Sequence, residues 1–296
     1  MNSSSIKGWI TAARPKTLPA ALGPILPAAA LAWSEGKFKL LPVIAALTAA
    51  LLLQITVNIA NDYFDFIHGI DTSDRVGPVR AAAGGLLSLK SMKTGMLIIT
   101  LIILSIGAYL VYIAGIPILI LGLASIISVY LYSAGPFPLS SYALGDLFVF
   151  IFFGPAAVCG TYYIQTLSIN KEIMLYSVSI GVLITAILVV NNYRDIETDR
   201  SSGKNTLAVI LGKRITGIEY VILILIAYLI PIYLVFIMKA STWILIPIIS
   251  IAQWIPLIRD INGRTYGQAL NKTLAGTAKA GLIFSILLSL GIVFSV

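Results

Sequence analysis

Residues 58–80, NIANDYFDFIHGIDTSDRVGPVR, carry four carboxylates, Asp62, Asp65, Asp71 and Asp74. They follow an uncharged run of roughly twenty residues, long enough to cross a bilayer. At 3.6 residues per turn, Gln54, Asn58, Asn61, Asp62 and Asp65 fall on one stripe of the helix that such a run would form. A second stretch, NNYRDIETDRSSGKNTLAV from Asn191, also follows an apolar run. Here Asn191, Asp195 and Asp199 stand at i, i+4 and i+8, one face of a continuing helix. The chain has twelve acidic residues and seven of them lie in these two stretches, a concentration that needs a physical cause.

Carboxylates a few ångströms apart repel by roughly 332/(εr) kcal/mol, so each cluster requires cations, protons or hydrogen bonds to compensate it. A hard divalent cation held by Asp and Asn oxygens, with positions left open for phosphate, meets that requirement. Bases surround both clusters: Arg75 and Arg80 after the first, and Arg194, Arg200, Lys204 and Arg214 around the second. Carboxylates alone would bind metal and bases alone would bind phosphate. Together they suit a metal-bridged diphosphate, whose outer oxygens the Lys and Arg groups hold. The plainer alternative is two solvated helix ends whose acids and bases pair; it leaves the recurrence of the Asn/Asp spacing unexplained.

The elements that position these residues must be membrane helices. Of 296 residues, 58% are hydrophobic and 11% charged, against about a quarter charged in soluble domains. From residue 94 to 170 the one charged side chain is Asp146, an expensive group near lipid and therefore a candidate site or structural pair. The expected architecture is an all-α, polytopic membrane protein, a single domain over residues 1–296 with no soluble linker. Nine spans are placed near 17–33, 41–66, 93–114, 117–133, 144–165, 173–193, 216–238, 242–258 and 274–296. The first is interrupted by Pro19, Pro24 and Pro27, which free backbone carbonyls and mark a kink. Arg14 and Lys16 interrupt the N-terminus where a cleavable signal needs an apolar core. The lone Cys159 excludes an intrachain disulfide and reads as packing; the lone His68 reads as a solvated loop position.

Lys and Arg concentrate at the N-terminus and after the second, sixth and eighth spans, whereas Lys37, Lys39, Lys171 and Lys239 hold the other side. Cytoplasmic loops carry such an excess, so both acidic stretches and the N-terminus are expected to face the cytoplasm, across an inner (plasma) membrane. The net charge of +8 then reflects this bias, not nucleic-acid binding. Asn61 and Asp65 map onto Asn191 and Asp195 at an offset of 130 residues, four helices apart. That predicts two parallel four-helix repeats plus one helix around a central cavity. An offset of 133 fits Asn58 and Asp62 equally well.

NDYFDFIHGID from Asn61 and NNYRDIETDR from Asn191 resemble the two aspartate-rich motifs of the UbiA superfamily of membrane aromatic prenyltransferases. RPKTLP from Arg14, DTSDRVGPVR from Asp71, YALGD from Tyr142 and DRSSGKNTLAV from Asp199 are similar to the branch whose acceptor is 1,4-dihydroxy-2-naphthoate. The resemblance spans nearly the whole chain, in order. It implies a helical bundle with a central cavity, Mg²⁺ dependence, and transfer of a chain from polyprenyl diphosphate to an aromatic ring. Carried over by motif, Asn61, Asp62, Asp65, Asn191, Asp195 and Asp199 would bind metal. The superfamily's common third aspartate, four after Asp65, is Gly69 here, with Asp71 two residues on; that arrangement fits the naphthoate branch. It leaves open whether Asp71 reaches metal or positions a base.

The implied chemistry is ionisation of the allylic C–O bond, with Mg²⁺, Arg80 and Lys204 stabilising the departing diphosphate. Attack by the ring carbon that bears the carboxylate, with loss of CO₂, would give a demethylmenaquinol. Arg14 and Lys16 are candidates for the acceptor's carboxylate, or an ordinary positive-inside anchor. Tyr132 and Asp146 complete the candidate substrate site, with Tyr130 and Tyr142 nearby. The rival readings are a relative acting on another acceptor such as 4-hydroxybenzoate, and a secondary transporter.

Overall fold

The computed structural model describes residues 3–69, 77, 79–135, 138–263 and 265–296. Asp71, Asp74 and Arg75 lie outside them. Among the described residues the fold is helical, and the one β-type pairing is an isolated bridge between Tyr142 and Asn205.

In chain order the helices are α1 (Ser3–Ala13), α2 (Pro19–Leu22), α3 (Ile25–Ser34), α4 (Leu40–Ile67), α5 (Leu89–Ala114) and α6 (Ile116–Leu131). Then come α7 (Gly145–Ile151), a π-helical stretch (Phe152–Cys159), α8 (Gly160–Thr166), α9 (Lys171–Ser201) and α10 (Leu207–Phe236). A 3₁₀ stretch (Thr242–Gln253), α11 (Trp254–Asn262) and α12 (Leu270–Val293) complete the bundle. Pro155 sits inside the π stretch, where its missing N–H interrupts the α-helical ladder and widens the turn.

The multi-pass expectation holds, but the count of nine does not emerge. Among the described residues, seven segments are long and apolar enough to cross a membrane: Leu40–Ile67, Leu89–Ala114, Gly145–Thr166, Lys171–Ser201, Leu207–Phe236, Thr242–Asn262 and Gly267–Val293. The proline-rich first segment is a pair, Ser5–Thr17 and Pro19–Ser34, bent by 53°, and counts as an eighth only if taken together. The remaining segment, α6, has 16 residues. At 1.5 Å per residue it spans about 24 Å, short of the hydrocarbon core.

α9 is the central element and the most buried of the long helices, whereas α5 is the least buried. It packs against α10, α7, the π stretch and α12. Close approach is built into the sequence here, because a Cβ on Gly154 would stand 2.7 Å from the Ser177 carbonyl and 3.0 Å from the Gly181 Cα. Small residues let membrane helices approach in this way. α4, α5 and α6 form the opposite wall, and α3 and α8 close the gap between the walls. A cavity of about 700 Å³ lies between them.

Candidate active site

Both acidic stretches form the last turns of long helices, α4 and α9, and both helices end in a glycine with left-handed backbone, Gly69 (φ 68°) and Gly203 (φ 79°). Such a residue stops a helix at little steric cost. The left-handed backbone at position 69 is itself a physical reason for glycine in place of a third aspartate. After Gly203, the Lys204 N–H turns back to the Asp199 carbonyl at 2.9 Å, which returns the lysine side chain over the cavity.

Arg14, Asn61, Asp65, Arg80, Tyr132, Asn191, Asp195, Asp199 and Lys204 line one end of the cavity. Asp65 is the hub of the first motif: its Oδ2 accepts from Arg80 Nη2 at 2.5 Å and its Oδ1 from Lys204 Nζ at 3.2 Å. Asp195 is matched by Arg194, which donates from Nε to Oδ1 at 2.8 Å and from Nη2 to Oδ2 at 2.5 Å. The same guanidinium reaches Asn191 Oδ1 at 2.9 Å and Asn271 Oδ1 at 2.8 Å, so α9 and α12 share one buried cation. Ser133 donates to Asn61 Oδ1 and fixes the orientation of that amide.

The offset of 130 places Asn61, Asp65, Asn191 and Asp195 together on the cavity wall; the offset of 133 does not, because Asp62 points elsewhere. Asp62 is 1% exposed, and its carboxylate accepts the backbone N–H groups of Ala81 at 2.7 Å and Ala82 at 3.1 Å. The Asp62 carboxylate thus holds the backbone of the loop that delivers Arg80. A small apolar cluster, including Ala12, Ile59, Ala81, Leu87 and Met92, seats that loop.

Two further expected site residues lie off the cavity wall. Lys16 is exposed and off the cavity wall, so the Arg14–Lys16 pair splits. Asp146 is buried in the first turn of α7, again off the wall, in a position where a helix N-terminus favours negative charge. Its nearest consequence for the site is electrostatic. Burial pushes the Tyr132 phenol above its ordinary pKa, and Asp146, Asp65 and Asp199 add to the shift while Arg14 opposes it. Tyr130 pairs its hydroxyl with Thr100 at 2.7 Å and ties α5 to α6.

Asn58 and Arg194 are the functional positions that motif reading undervalued. Asn58 Nδ2 donates to the Ala13 carbonyl at 2.9 Å and to Thr17 Oγ1 at 3.0 Å, clamping a turn in which Arg14 has left-handed backbone, φ 49°. Its place on the polar stripe of α4 was the available signal. Arg194 gave no spacing signal, since neighbours at i and i+1 on a helix do not ordinarily face each other. Two loops complete the cavity mouth. Ala143 N–H donates to the Asn205 carbonyl and Asn205 N–H to the Ser141 carbonyl, both at 2.9 Å.

The donor set is all oxygen, from Asn and Asp, which suits a hard cation. Among the described residues no three His, Cys, Asp or Glu side chains stand close enough to hold a metal by themselves. Mg²⁺ commonly keeps its waters and binds through one or two carboxylates together with substrate phosphates. Among the described residues, the charged groups on the cavity wall are Asp65, Asp195 and Asp199 against Arg14, Arg80 and Lys204. Beyond this end the lining is almost wholly apolar, from Leu53 and Ala50 on α4 to Ile118 on α6 and Phe152 in the π stretch.

The sequence profile of the UbiA prenyltransferase family matches residues 21–292. The chain belongs to this family. It is therefore a prenyltransferase, and its helices make it a multi-pass membrane protein. It is 35% identical to the 1,4-dihydroxy-2-naphthoate octaprenyltransferase of Escherichia coli over 99% of this chain and 97% of that one. It is 39% identical to the enzyme of the same name from Haemophilus influenzae over 77% of each chain. The UbiA fold is equally plain in solved structures. A UbiA homologue from Archaeoglobus fulgidus bound to DMAPP and Mg²⁺ superposes with a TM-score of 0.64 at 16% identity, covering 97% of this chain and 99% of that one.

Proposed function

We propose that this UbiA-family chain transfers a polyprenyl group from its diphosphate to 1,4-dihydroxy-2-naphthoate, with decarboxylation, giving a demethylmenaquinol. The observation that carries the reading is the two-part cavity, a charged end where both motifs meet and a long apolar remainder. An amphiphilic diphosphate matches both parts, and the names of the Escherichia coli and Haemophilus influenzae relatives support the acceptor. The Archaeoglobus fulgidus homologue bound to DMAPP and Mg²⁺ supports the metal.

Asn61, Asp65, Asn191, Asp195 and Asp199 would hold Mg²⁺, which supplies charge neutralisation of the diphosphate when bound. Arg80 and Lys204 bind the outer phosphate oxygens and take up the charge that develops as the allylic C–O bond breaks, its electron pair leaving with the diphosphate. Asp71, beyond the described residues, is proposed to position one of these bases. The apolar walls keep water from the allylic cation. Tyr132, held as a neutral phenol, presents a ring face to it. Arg14 receives the carboxylate of the acceptor. The ring carbon that bears this carboxylate forms the new C–C bond, and the C–CO₂ bond breaks to restore aromaticity. The Lys and Arg bias supports a cytoplasmic position for the charged end, at an inner membrane.

Purified protein in nanodiscs, given Mg²⁺, a polyprenyl diphosphate and either 1,4-dihydroxy-2-naphthoate or 4-hydroxybenzoate, tests this by mass spectrometry of products. Decarboxylated, prenylated naphthoquinol that forms only with Mg²⁺ is the expected result. Prenylated 4-hydroxybenzoate would reassign the acceptor, and no product with either would overturn the reading.

A further inference from the structure

The helical glycines differ in what surrounds them. A Cβ on most of them would press on a neighbour: on Gly95 it would stand 2.3 Å from Trp9, on Gly160 2.6 Å from Leu121, and on Gly276 2.6 Å from Leu257. These are packing glycines, which let helices approach. Gly107 on α5 and Gly122 on α6 are different. A Cβ on either meets nothing within 4 Å, and both line the cavity. Neither has left-handed backbone, so no turn requires glycine there. Glycine inside a helix is unfavourable relative to alanine, so a position with neither a packing nor a conformational need calls for another explanation.

Their placement supplies one. α5 and α6 are consecutive antiparallel helices joined at Gly115. Gly107 and Gly122 lie eight and seven residues from that turn, about 12 and 10 Å along their helices, and so stand at the same depth. Along α6, Gly122 is ten residues before Tyr132 at the charged end, about 15 Å away. A short prenyl chain anchored by its diphosphate at that end stops before this level. A long one has to pass it.

We propose that Gly107 and Gly122 form the gauge of the cavity, admitting the distal part of a long prenyl chain and thereby setting the donor length the protein accepts. This rests on the prenyl-diphosphate reading above and identifies the residues that would decide its substrate range. The contribution is steric, since the room each glycine leaves is the room a side chain would fill.

The test compares geranyl diphosphate with all-trans octaprenyl diphosphate as donors, using full-length protein in nanodiscs with Mg²⁺ and 1,4-dihydroxy-2-naphthoate. In Gly107→Leu and Gly122→Leu, kcat/KM for the octaprenyl donor is expected to fall by about tenfold or more, the scale on which an apolar pocket rejects excess bulk. The geranyl value should stay within about twofold of wild type. The readout is the ratio of the two donors within one preparation, so loss of folded protein cancels. Should leucine prevent membrane insertion, Gly107→Ala and Gly122→Ala supply the same ratio, with a smaller shift in the same direction. An unchanged ratio in every variant that folds, or equal loss with both donors, would overturn the gauge. Wild-type protein that uses neither donor would overturn the function reading first, and this one with it.

Discussion

Lys204 donates to the Asp65 carboxylate at 3.2 Å, joining the loop after α9 to the end of α4 across 139 residues of chain. The contact sets a cation of the second motif on a proposed metal ligand of the first. Arg80 holds the other oxygen of the same carboxylate, so two bases expected to face the diphosphate converge on one acid. Diphosphate binding at this end must therefore redistribute the partners of Asp65.

Lys204→Met removes one such partner. Hydrogen bonds to charged groups contribute about 1.5–3 kcal/mol, so the KM for polyprenyl diphosphate should rise by about tenfold or more while the KM for the aromatic acid stays near wild type. Steady-state kinetics with each substrate varied in turn measures the split. The opposite pattern would move Lys204 to the acceptor site.

Asp62 and Asp65 should separate cleanly. Asp62→Ala leaves the Ala81 and Ala82 N–H groups without their carboxylate, which costs about 1–3 kcal/mol and disturbs the loop that carries Arg80. Thermal unfolding in detergent should shift downward while the Mg²⁺ concentration for half-maximal turnover stays put. Asp65→Asn should instead abolish Mg²⁺-dependent turnover with the protein still folded. A changed Mg²⁺ requirement in Asp62→Ala would return that residue to the ligand set.

Arg194→Ala removes a guanidinium that serves Asn191, Asp195 and Asn271 and leaves a buried carboxylate uncompensated, a loss of about 3–5 kcal/mol. The melting temperature without Mg²⁺ should fall sharply. Added Mg²⁺ should recover part of the loss, because a cation on Asp195 replaces the missing charge. An apo melting curve like that of wild type would show that the bidentate pair contributes little.

Tyr132 should stay protonated through the working range. Its folded pKa lies above the unfolded value of about 10, so its contribution to stability is constant below that pH and is lost as pH rises beyond it. Tyr132→Phe should leave the alkaline limb of the pH–rate profile in place. Loss of that limb in the variant would identify the phenol as the titrating group.

The motif residues on α4 and α9 were legible because helical periodicity alone puts Asn61 with Asp65 and Asn191 with Asp195. The same periodicity could not separate Asp62 from Asp65, which share the polar stripe. A loop closing onto Ala81 and Ala82 makes the choice, and no local spacing encodes that tertiary contact. Asp146 drew attention as a lone charge in an apolar region, and rarity does not reveal whether such a charge faces a cavity or starts a helix. The count of nine spans was not confirmed for a related reason: hydropathy marks apolar stretches but not the bend between Thr17 and Pro19 or the brevity of α6. The clamp from Asn58 onto Ala13 and Thr17 depends on two elements more than forty residues apart, beyond any periodic signal.

The strap at the cavity mouth is made of main chain, through the N–H groups of Ala143 and Asn205 and the carbonyls of Ser141 and Asn205. Every ordinary side-chain replacement preserves those groups, so an alanine scan across both loops passes over it in silence. Proline is the exception, since it deletes the N–H. Positions 143 and 205 are therefore closed to proline, and two loops with little in common by composition stay coupled through their backbones.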